Sequence, residues 1–456
     1  MPRRHLDAFT SSLLLIVAGT ATCAGAQTPA ADKAGWSLSG SVRVRQEVLD
    51  GQFRPGFDDR DDILLLRGSL RADWARGGWH VAAELIDSRA YDTDAGSVLS
   101  TGDVNTLEPV QAFVQREFNA PLGEGSVAVV QAGRFRMNFG SKRLVSSGDD
   151  RNSTQAYTGL RGELQDVRGA QWTVFYVLPQ QRRPDDFAAL RDNDWALDHV
   201  GGDLRVWGAM TSRPDLLPGG VLAEIGYAAL KEGDTAGRPR RNRDLQNVIL
   251  RAIREPAPGN TDLELEGIYQ WGNVRNSTAG GAARLNVNAY FVHAEIGHTF
   301  AQAGQLHLSL ELDHASGDGP GAQYQRFDTL SGSRRSDLGP ADIYGALARS
   351  NLRAAGLRLE IRPSADLEAF GTWKMLWAAN RHDTFSATGI GDASGNSGRR
   401  AGQQFDGRVR YWIVPQKLQL ELNATWLLRG KLLRHAPNAS PHGDTRFMAA
   451  GATYSF

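Results

Sequence analysis

Arginine is the residue type in this sequence whose number and spacing most clearly predict a chemical role. Of the 51 basic residues 45 are arginine and 6 are lysine, and 51 acidic residues balance them. Arg43 and Arg45 stand two positions apart, as do Arg408 and Arg410. Residues at this spacing share one face of a β-strand. A guanidinium offers a planar, bidentate fork to carboxylates, so these rows predict a surface that attracts anions. A genome-wide preference for arginine is the alternative explanation.

The segments that carry these arginines alternate between apolar and polar residues. Trp36, Leu38 and Val44 share one face of the first segment, and Arg43 and Arg45 share the other. The two-faced pattern recurs about eighteen times after residue 35, in segments of about 11 to 16 residues, longer than most strands of soluble proteins. Long strands with one apolar and one polar face are typical of transmembrane barrels, where the apolar face contacts lipid.

The connections between these segments also alternate, between short turns and long polar loops. Short ones include ARGG at Ala75 and VPQ at Val414, and long ones include residues 49–61 and 315–350. The chain ends in Phe456, on the apolar face of the last segment. Short periplasmic turns, long external loops and an aromatic closing strand are typical of outer-membrane proteins. The sequence therefore predicts an all-β fold, a transmembrane antiparallel β-barrel of about 18 strands over residues 36–456, in the bacterial outer membrane.

The N-terminal residues have the features of a secretory signal peptide. Arg3 and Arg4 precede an apolar run at residues 13–18, and small residues lead to a cleavage site before Gln27. We expect residues 1–26 to be the signal peptide and 27–35 a short periplasmic segment. The single cysteine, Cys23, lies within the signal peptide. The mature chain would then have no disulfide, thiolate metal site or cysteine nucleophile.

In such a barrel the polar face lines the lumen, where fixed cations attract anions and intervening acids keep binding weak enough for release. Alternatively, the inward arginines and acids form ion pairs with each other and are not available to a substrate. Strand periodicity places these charged residues in the lumen: Arg43, Arg45, Arg67, Arg71, Arg251, Arg358, Arg362, Lys374, Arg408 and Arg410, with Glu84, Glu264, Glu266, Glu360 and Asp406.

Several short motifs, in order along the chain, resemble the alginate export family of outer-membrane barrels. They include AAELIDSRAY from Ala82, GRFRMNFGSKRLVS from Gly133, LEGIYQWGN from Leu265 and GQQFDGRVRYW from Gly402. The resemblance implies a monomeric barrel of 18 strands whose arginine-rich lumen passes an anionic polysaccharide. It extends the expected pore lining to Arg134 and Arg143. Arg89 and Gln270 are the other residues that we expect to line the pore. Gln404 departs from the family, which more usually has an acidic residue at this place.

Two transport functions are compatible with these observations. The substrate is an anionic polysaccharide of the alginate type or a related sugar acid, or the chain is a porin for small organic anions. Glycines in residues 315–350, among them Gly317 and Gly332, would allow this loop to fold inward as a plug or lid. The expected partners are the anionic substrate, outer-membrane lipid, the barrel assembly machinery and periplasmic export proteins, with no nucleic acid.

A catalytic function is the competing class. His307 and Ser309 lie two positions apart, and an acyl-transfer serine needs a histidine base. Both residues project opposite Leu308, hence into the lumen and away from lipid, which argues against a lipase. His80, His293 and His314 stand on separate segments without ligand spacing. We therefore predict no catalytic residue, no metal site and no cofactor.

Overall fold

The computed structural model describes residues 35–214, 216–235, 237–302, 304–335 and 337–456. The predicted signal peptide, and the following segment up to residue 34, lie outside the described residues. The β-strands are β1 (Gly35–Asp50), β2 (Arg60–Arg76), β3 (Trp79–Tyr91), β4 (Asn105–Asn119), β5 (Val127–Arg136), β6 (Ala156–Gln165), β7 (Gln171–Pro179), β8 (Leu204–Arg213), β9 (Leu222–Glu232), β10 (Asp244–Arg254), β11 (Thr261–Arg275), β12 (Arg284–Thr299), β13 (His307–Ala315), β14 (Gln323–Tyr324), β15 (Leu352–Ser364), β16 (Leu367–Trp377), β17 (Arg400–Val414), β18 (Leu418–Arg429) and β19 (Thr445–Ser455).

These strands form one closed antiparallel barrel. Each long strand pairs with its neighbour in the chain, and β1 pairs with both β2 and β19, which leaves no free edge. The two-residue strand β14 lies in a loop and pairs in parallel with β12. Without β14, the described part of the chain has 18 barrel strands. The prediction of an all-β barrel with 18 strands is confirmed.

Alternation along each strand separates a lipid face from a lumen face. On β1 the exposed fractions of Trp36, Leu38 and Val42 are 77%, 65% and 53%, whereas Arg45 and Glu47 are buried inside. This arrangement satisfies the backbone hydrogen bonds within the sheet and presents apolar side chains to lipid. No helix in the described residues is long and apolar enough to cross a membrane. The two helices, α1 (Phe187–Arg191) and α2 (Lys431–His435), are single turns within loops.

Connection lengths differ between the two rims. Residues 77–78 and 415–417 are examples of turns at one rim. The other rim carries long loops, of which three matter below: loop L3 (residues 137–155), loop L4 (residues 180–203) and loop L7 (residues 316–351). The predicted alternation of short turns and long loops is confirmed.

Loops L3 and L7 fold inward and bind each other. The Ser331 amide donates to the Leu144 carbonyl at 3.1 Å, and the Ser333 amide donates to the Lys142 carbonyl at 2.9 Å. At Gly332 between them, a Cβ atom would lie 1.9 Å from the Arg143 carbonyl oxygen, so only glycine permits this approach. The inward fold expected for residues 315–350 is therefore present, and L3 joins it.

Candidate functional site in the lumen

A buried ion cluster around Arg143 of L3 ties both inward loops to the barrel wall. Arg143 Nη1 lies 2.8 Å from Glu266 Oε2, its Nε lies 2.8 Å from Asp337 Oδ2, and it also pairs with Glu264. Burial opposes the charge, but these three carboxylates hold the pKa of Arg143 well above its usual value. Arg143 and Arg349 likewise hold the pKa of Asp337 well below its usual value, although burial acts to raise it. Arg143 and Asp337 therefore remain ionised across the physiological range.

Further contacts fasten L7 to the wall. Lys374 Nζ lies 2.5 Å from Glu311 Oε2 and donates to the Asp337 carbonyl. Arg335 Nη1 of L7 lies 2.8 Å from Asp406 Oδ2. Gln270 donates to the Asp328 carbonyl at 3.0 Å and accepts from the Asp328 amide at 3.0 Å. Sequence-predicted lumen residues that bind the inward loops thus include Glu264, Glu266, Gln270, Lys374 and Asp406.

The inside of the barrel contains cavities around the inward loops, and two of them are lined by described residues. The larger has a volume of about 470 Å³ and is bounded by acidic side chains of β11–β13 and basic side chains of β15 and β17. The smaller, of about 110 Å³, lies against β1, β17 and β18. Arg335, Arg408, Asp149 and Asp150 line both cavities. The acidic side chains of β11–β13 form an acidic wall of the larger cavity, and the arginines of β15 and β17 belong to a basic wall, although each wall also carries paired ions of the opposite sign.

A cationic stripe runs along the basic wall and consists of Arg43, Arg67 and Arg408. Arg43 lies opposite Arg67 in the β1–β2 register. Arg43 Nη2 donates to the Arg151 carbonyl at 2.6 Å, and Arg67 Nη1 donates to the Asp149 carbonyl at 3.4 Å. Among the described residues, no carboxylate forms an ion pair with Arg43 or Arg67. Arg408 lies over the Phe370 ring at 5.0 Å, and its nearest carboxylate oxygen belongs to Glu368, at 3.7 Å.

The remaining predicted wall cations have carboxylate partners. Mutual neutralisation, which the sequence left open, therefore holds for most inward arginines. The pairs are Arg45 with Glu47 and Asp342 at 2.8 and 3.1 Å, Arg71 with Asp73 at 2.7 Å, Glu84 with Arg136 at 3.2 Å, Arg251 with Glu224 at 2.8 Å, Arg358 with Glu360 at 2.6 Å, Arg362 with Glu368 at 3.4 Å, and Arg410 with Glu421 at 2.5 Å.

Two predicted pore-lining arginines lie elsewhere. Arg89 and Leu85 lie on the same face of β3. Leu85 is 41% exposed on the outer face of the barrel, and Arg89 pairs with Asp87 on that face at 2.9 Å. Its predicted lumen position is wrong because the inward residues of β3 are the even-numbered ones. Arg134 has the same parity along β5 as Val130, which is 50% exposed on the outer face. Arg134 also binds Glu108 at 2.5 Å. Its strand register therefore disagrees with the lumen position implied by the family resemblance.

Several residues of the site were not predicted from the sequence. Arg335 and Asp337 come from L7, and Arg151 comes from L3. Strand periodicity says nothing about loop side chains, so no signal identified their partners. The only indication was the group of glycines that suggested an inward fold of L7.

Comparison with known proteins decides the family. A family model described as alginate export matches residues 36–446. This chain belongs to the alginate export family. It is therefore a β-barrel of the bacterial outer membrane. No curated protein sequence matches it.

Solved structures share the fold of this alginate export family member at low sequence identity. The Pseudomonas aeruginosa OccK2 (OpdF) structure in complex with glucuronate has 12% identity and a TM-score of 0.56, over 92% of this chain and 98% of that chain. Pseudomonas aeruginosa OccK8 (OprE) has 11% identity and a TM-score of 0.58, over 92% and 98%. The outer membrane protein OpdK of the same organism has 12% identity and a TM-score of 0.55, over 92% and 99%.

Gln404, where the sequence of this alginate export protein is expected to depart from the family, has a structural role. Its Oε1 accepts a hydrogen bond from the Tyr344 hydroxyl at 2.6 Å, and its Nε2 donates to the Leu338 carbonyl at 3.1 Å. A carboxylate could not make the second bond and would bury a charge beside L7. The amide therefore suits the inward position of L7.

Proposed function

We propose that this protein is a passive outer-membrane channel, rather than an enzyme, for anionic saccharides of the polyuronate or sugar-acid class. The cationic stripe of Arg43, Arg67 and Arg408 carries the proposal. Its guanidinium groups lie inside the barrel, and two of them bind loop carbonyls instead of carboxylates. Such cations are available to the carboxylates of a passing substrate.

The presence of acids as well as arginines in the lumen suits conduction as well as binding. Fixed cations in a confined pore enrich anions, and the acidic wall across the lumen keeps their residence short. Family membership supports alginate-type polyuronate as the substrate. The glucuronate in the OccK2 complex supports the broader class of sugar acids. As an outer-membrane barrel the chain would also contact lipid, the barrel assembly machinery and, during export, periplasmic proteins.

A porin for small organic anions is the second candidate, and the inward loops favour it. With L3 and L7 bound to each other, the cavities measure about 470 and 110 Å³. A polymer would require the loops to separate, whereas a small anion could use the existing space. The two functions therefore differ in whether a chain of sugars or a single sugar acid enters the pore.

Current block in planar bilayers separates these functions. We expect oligouronates to block the channel at lower concentration than neutral oligosaccharides of equal length. The R43Q/R67Q/R408Q variant should raise the half-blocking concentration about tenfold or more, because charge pairs to the substrate are lost. R89Q removes a cation from the outer face and should leave block unchanged. Block by glucuronate but not by oligouronates would favour the small-anion porin, and equal block by neutral and charged oligosaccharides would refute both.

A further inference from the structure

A second polar cluster lies on the acidic wall, opposite the cationic stripe. It comprises Asp262 and Glu264 on β11, His293 and Glu295 on β12, and His307 on β13. We propose that this cluster binds a divalent transition metal such as Zn²⁺ at the lumen surface. The proposal is independent of which anion the channel conducts.

His293 is placed as a metal ligand. Its side chain is 1% exposed, and its Nδ1 lies 2.9 Å from Asp313 Oδ1. Its Nε2 is buried without a hydrogen-bond partner among the described residues. That nitrogen lies 3.7 Å from Glu295 Oε2 and 4.0 Å from Glu264 Oε2. A histidine that donates one ring N–H to a carboxylate and directs the other nitrogen at ligand oxygens has the usual arrangement of a metal-binding imidazole.

Glu295 also belongs to a second group of potential ligands, with Asp262 and His307. In each group of three residues the ligand atoms lie within 4.8 Å of one another. Zinc bonds to nitrogen and oxygen are about 2.0–2.2 Å long, so small side-chain movements would close either group around an ion. The shared carboxylate could bridge two ions.

Gly297 allows the second group to form across β12. Asp262 and His307 belong to strands on either side of β12, yet His307 Nε2 lies 3.1 Å from Asp262 Oδ2. A Cβ atom at Gly297 would lie 2.3 Å from His307 Nε2 and 2.5 Å from Asp262 Oδ2. Alanine at this position would therefore separate the two side chains.

Charge and access also fit a cation. In the described part of the chain, histidine is the only cationic partner within ion-pair distance of Asp262 and Glu295, whereas Glu264 also pairs with Arg143 and Arg251. Asp262, Glu264, Glu295 and His307 line the cavity of about 470 Å³, so an ion could enter from the lumen. Sequence spacing could not reveal the cluster because its histidines stand on different strands. This is why the sequence predicted no metal site.

Metal titration of the folded barrel tests the proposal. Untagged protein in detergent, stripped with a chelator, is titrated with Co²⁺ while its visible ligand-field absorption is recorded. We expect a saturable signal that Zn²⁺ displaces, because Zn²⁺ prefers similar nitrogen and oxygen ligands. H293A should weaken binding by about 100-fold or more, given that even outer-shell changes cost about 10–100-fold.

H80A is the matched control, since His80 is also paired with one carboxylate, Asp73, at 2.7 Å, but lies outside the cluster. It should bind Co²⁺ as the unmodified protein does. G297A should weaken Co²⁺ binding only through the group that contains His307, and the group that contains His293 should still bind. Folding of each variant is checked by heat-modifiable gel migration, and E295Q replaces H293A if that variant does not fold. Absence of saturable binding by the unmodified barrel, or equal binding by H293A or E295Q, would overturn the proposal.

Discussion

Inward arginines in this barrel differ in what their guanidinium groups bind. Arg143 and Arg251 are buried against several carboxylates, and each holds structure together. Arg43 and Arg67 instead bind loop carbonyls and have no ion-pair partner among the described residues. The same residue type thus serves stability in one place and, by our proposal, substrate attraction in another.

Replacing Arg143 by methionine should loosen the inward loops. The change leaves Glu266 without its cation and removes one partner each from Glu264 and Asp337. Breaking a buried pair in this way costs about 3–5 kcal/mol. Hydrogen exchange should therefore quicken in L3 and L7, and single-channel conductance should rise. R71M is the control, because Arg71 pairs with Asp73 away from the loops, and it should change neither the hydrogen exchange of L3 and L7 nor the conductance. If R143M and R71M behave alike, the role assigned to Arg143 is wrong.

Asp198 of L4 should make the packing of that loop pH-dependent. Burial, and then the nearby Glu108 carboxylate, raise the pKa of Asp198 from 3.8 to about 7. The folded loop therefore binds this proton more tightly, and the resulting stabilisation is complete below about pH 4 and lost as pH rises through 7. After correction for intrinsic rates, exchange in L4 should be slower at pH 5.5 than at pH 8. The D198N variant should abolish this difference in hydrogen exchange between pH 5.5 and pH 8. If the difference is unchanged in D198N, another titratable group causes it.

At the scale of elements, the sequence predicted strands far better than loops. Alternation placed Arg45 inside and Leu38 outside correctly, because a membrane barrel requires opposite polarity on its two faces. The same rule, applied to β3, would have placed Ser88 inside and Arg89 outside. The Arg143–Asp337 contact could not be predicted, since it joins two loop residues that are 194 positions apart in the sequence. The proposed metal-ligand cluster depends on the register between neighbouring strands. The alternation of residues within one strand gives no information about that register.

The terminal Phe456 should matter for assembly more than for conduction. Its amide donates to the Gly40 carbonyl at 3.0 Å, and the Gly40 amide donates to the Phe456 carbonyl at 3.0 Å. Its ring stacks with Tyr454 on the outer face, at a centroid distance of 6.4 Å. Deleting Phe456 removes bonds that close β1 against the C-terminus. Folded protein in outer-membrane fractions should decrease, whereas conductance per inserted channel should not; the reverse result would contradict this assignment.

At the scale of the whole molecule, formal charge is balanced but its distribution is not. The 51 basic and 51 acidic residues give no net charge, and most inward arginines are paired with carboxylates, so among the described residues the predicted wall cations without a close carboxylate are those of the cationic stripe. Composition alone could therefore not predict selectivity. By our proposal, the cationic stripe gives the selectivity its sign and the inward loops limit the size of the substrate.

The reversal potential of single channels in a salt gradient tests anion selectivity most directly. We expect the unmodified protein to prefer anions, with the preference decreasing as salt rises, because screening shortens the field below about 8 Å above physiological ionic strength. The R43E/R67E/R408E variant should shift the reversal potential toward cation selectivity, while R89E should not. A cation-selective unmodified channel, or a triple variant with unchanged reversal potential, would contradict the account.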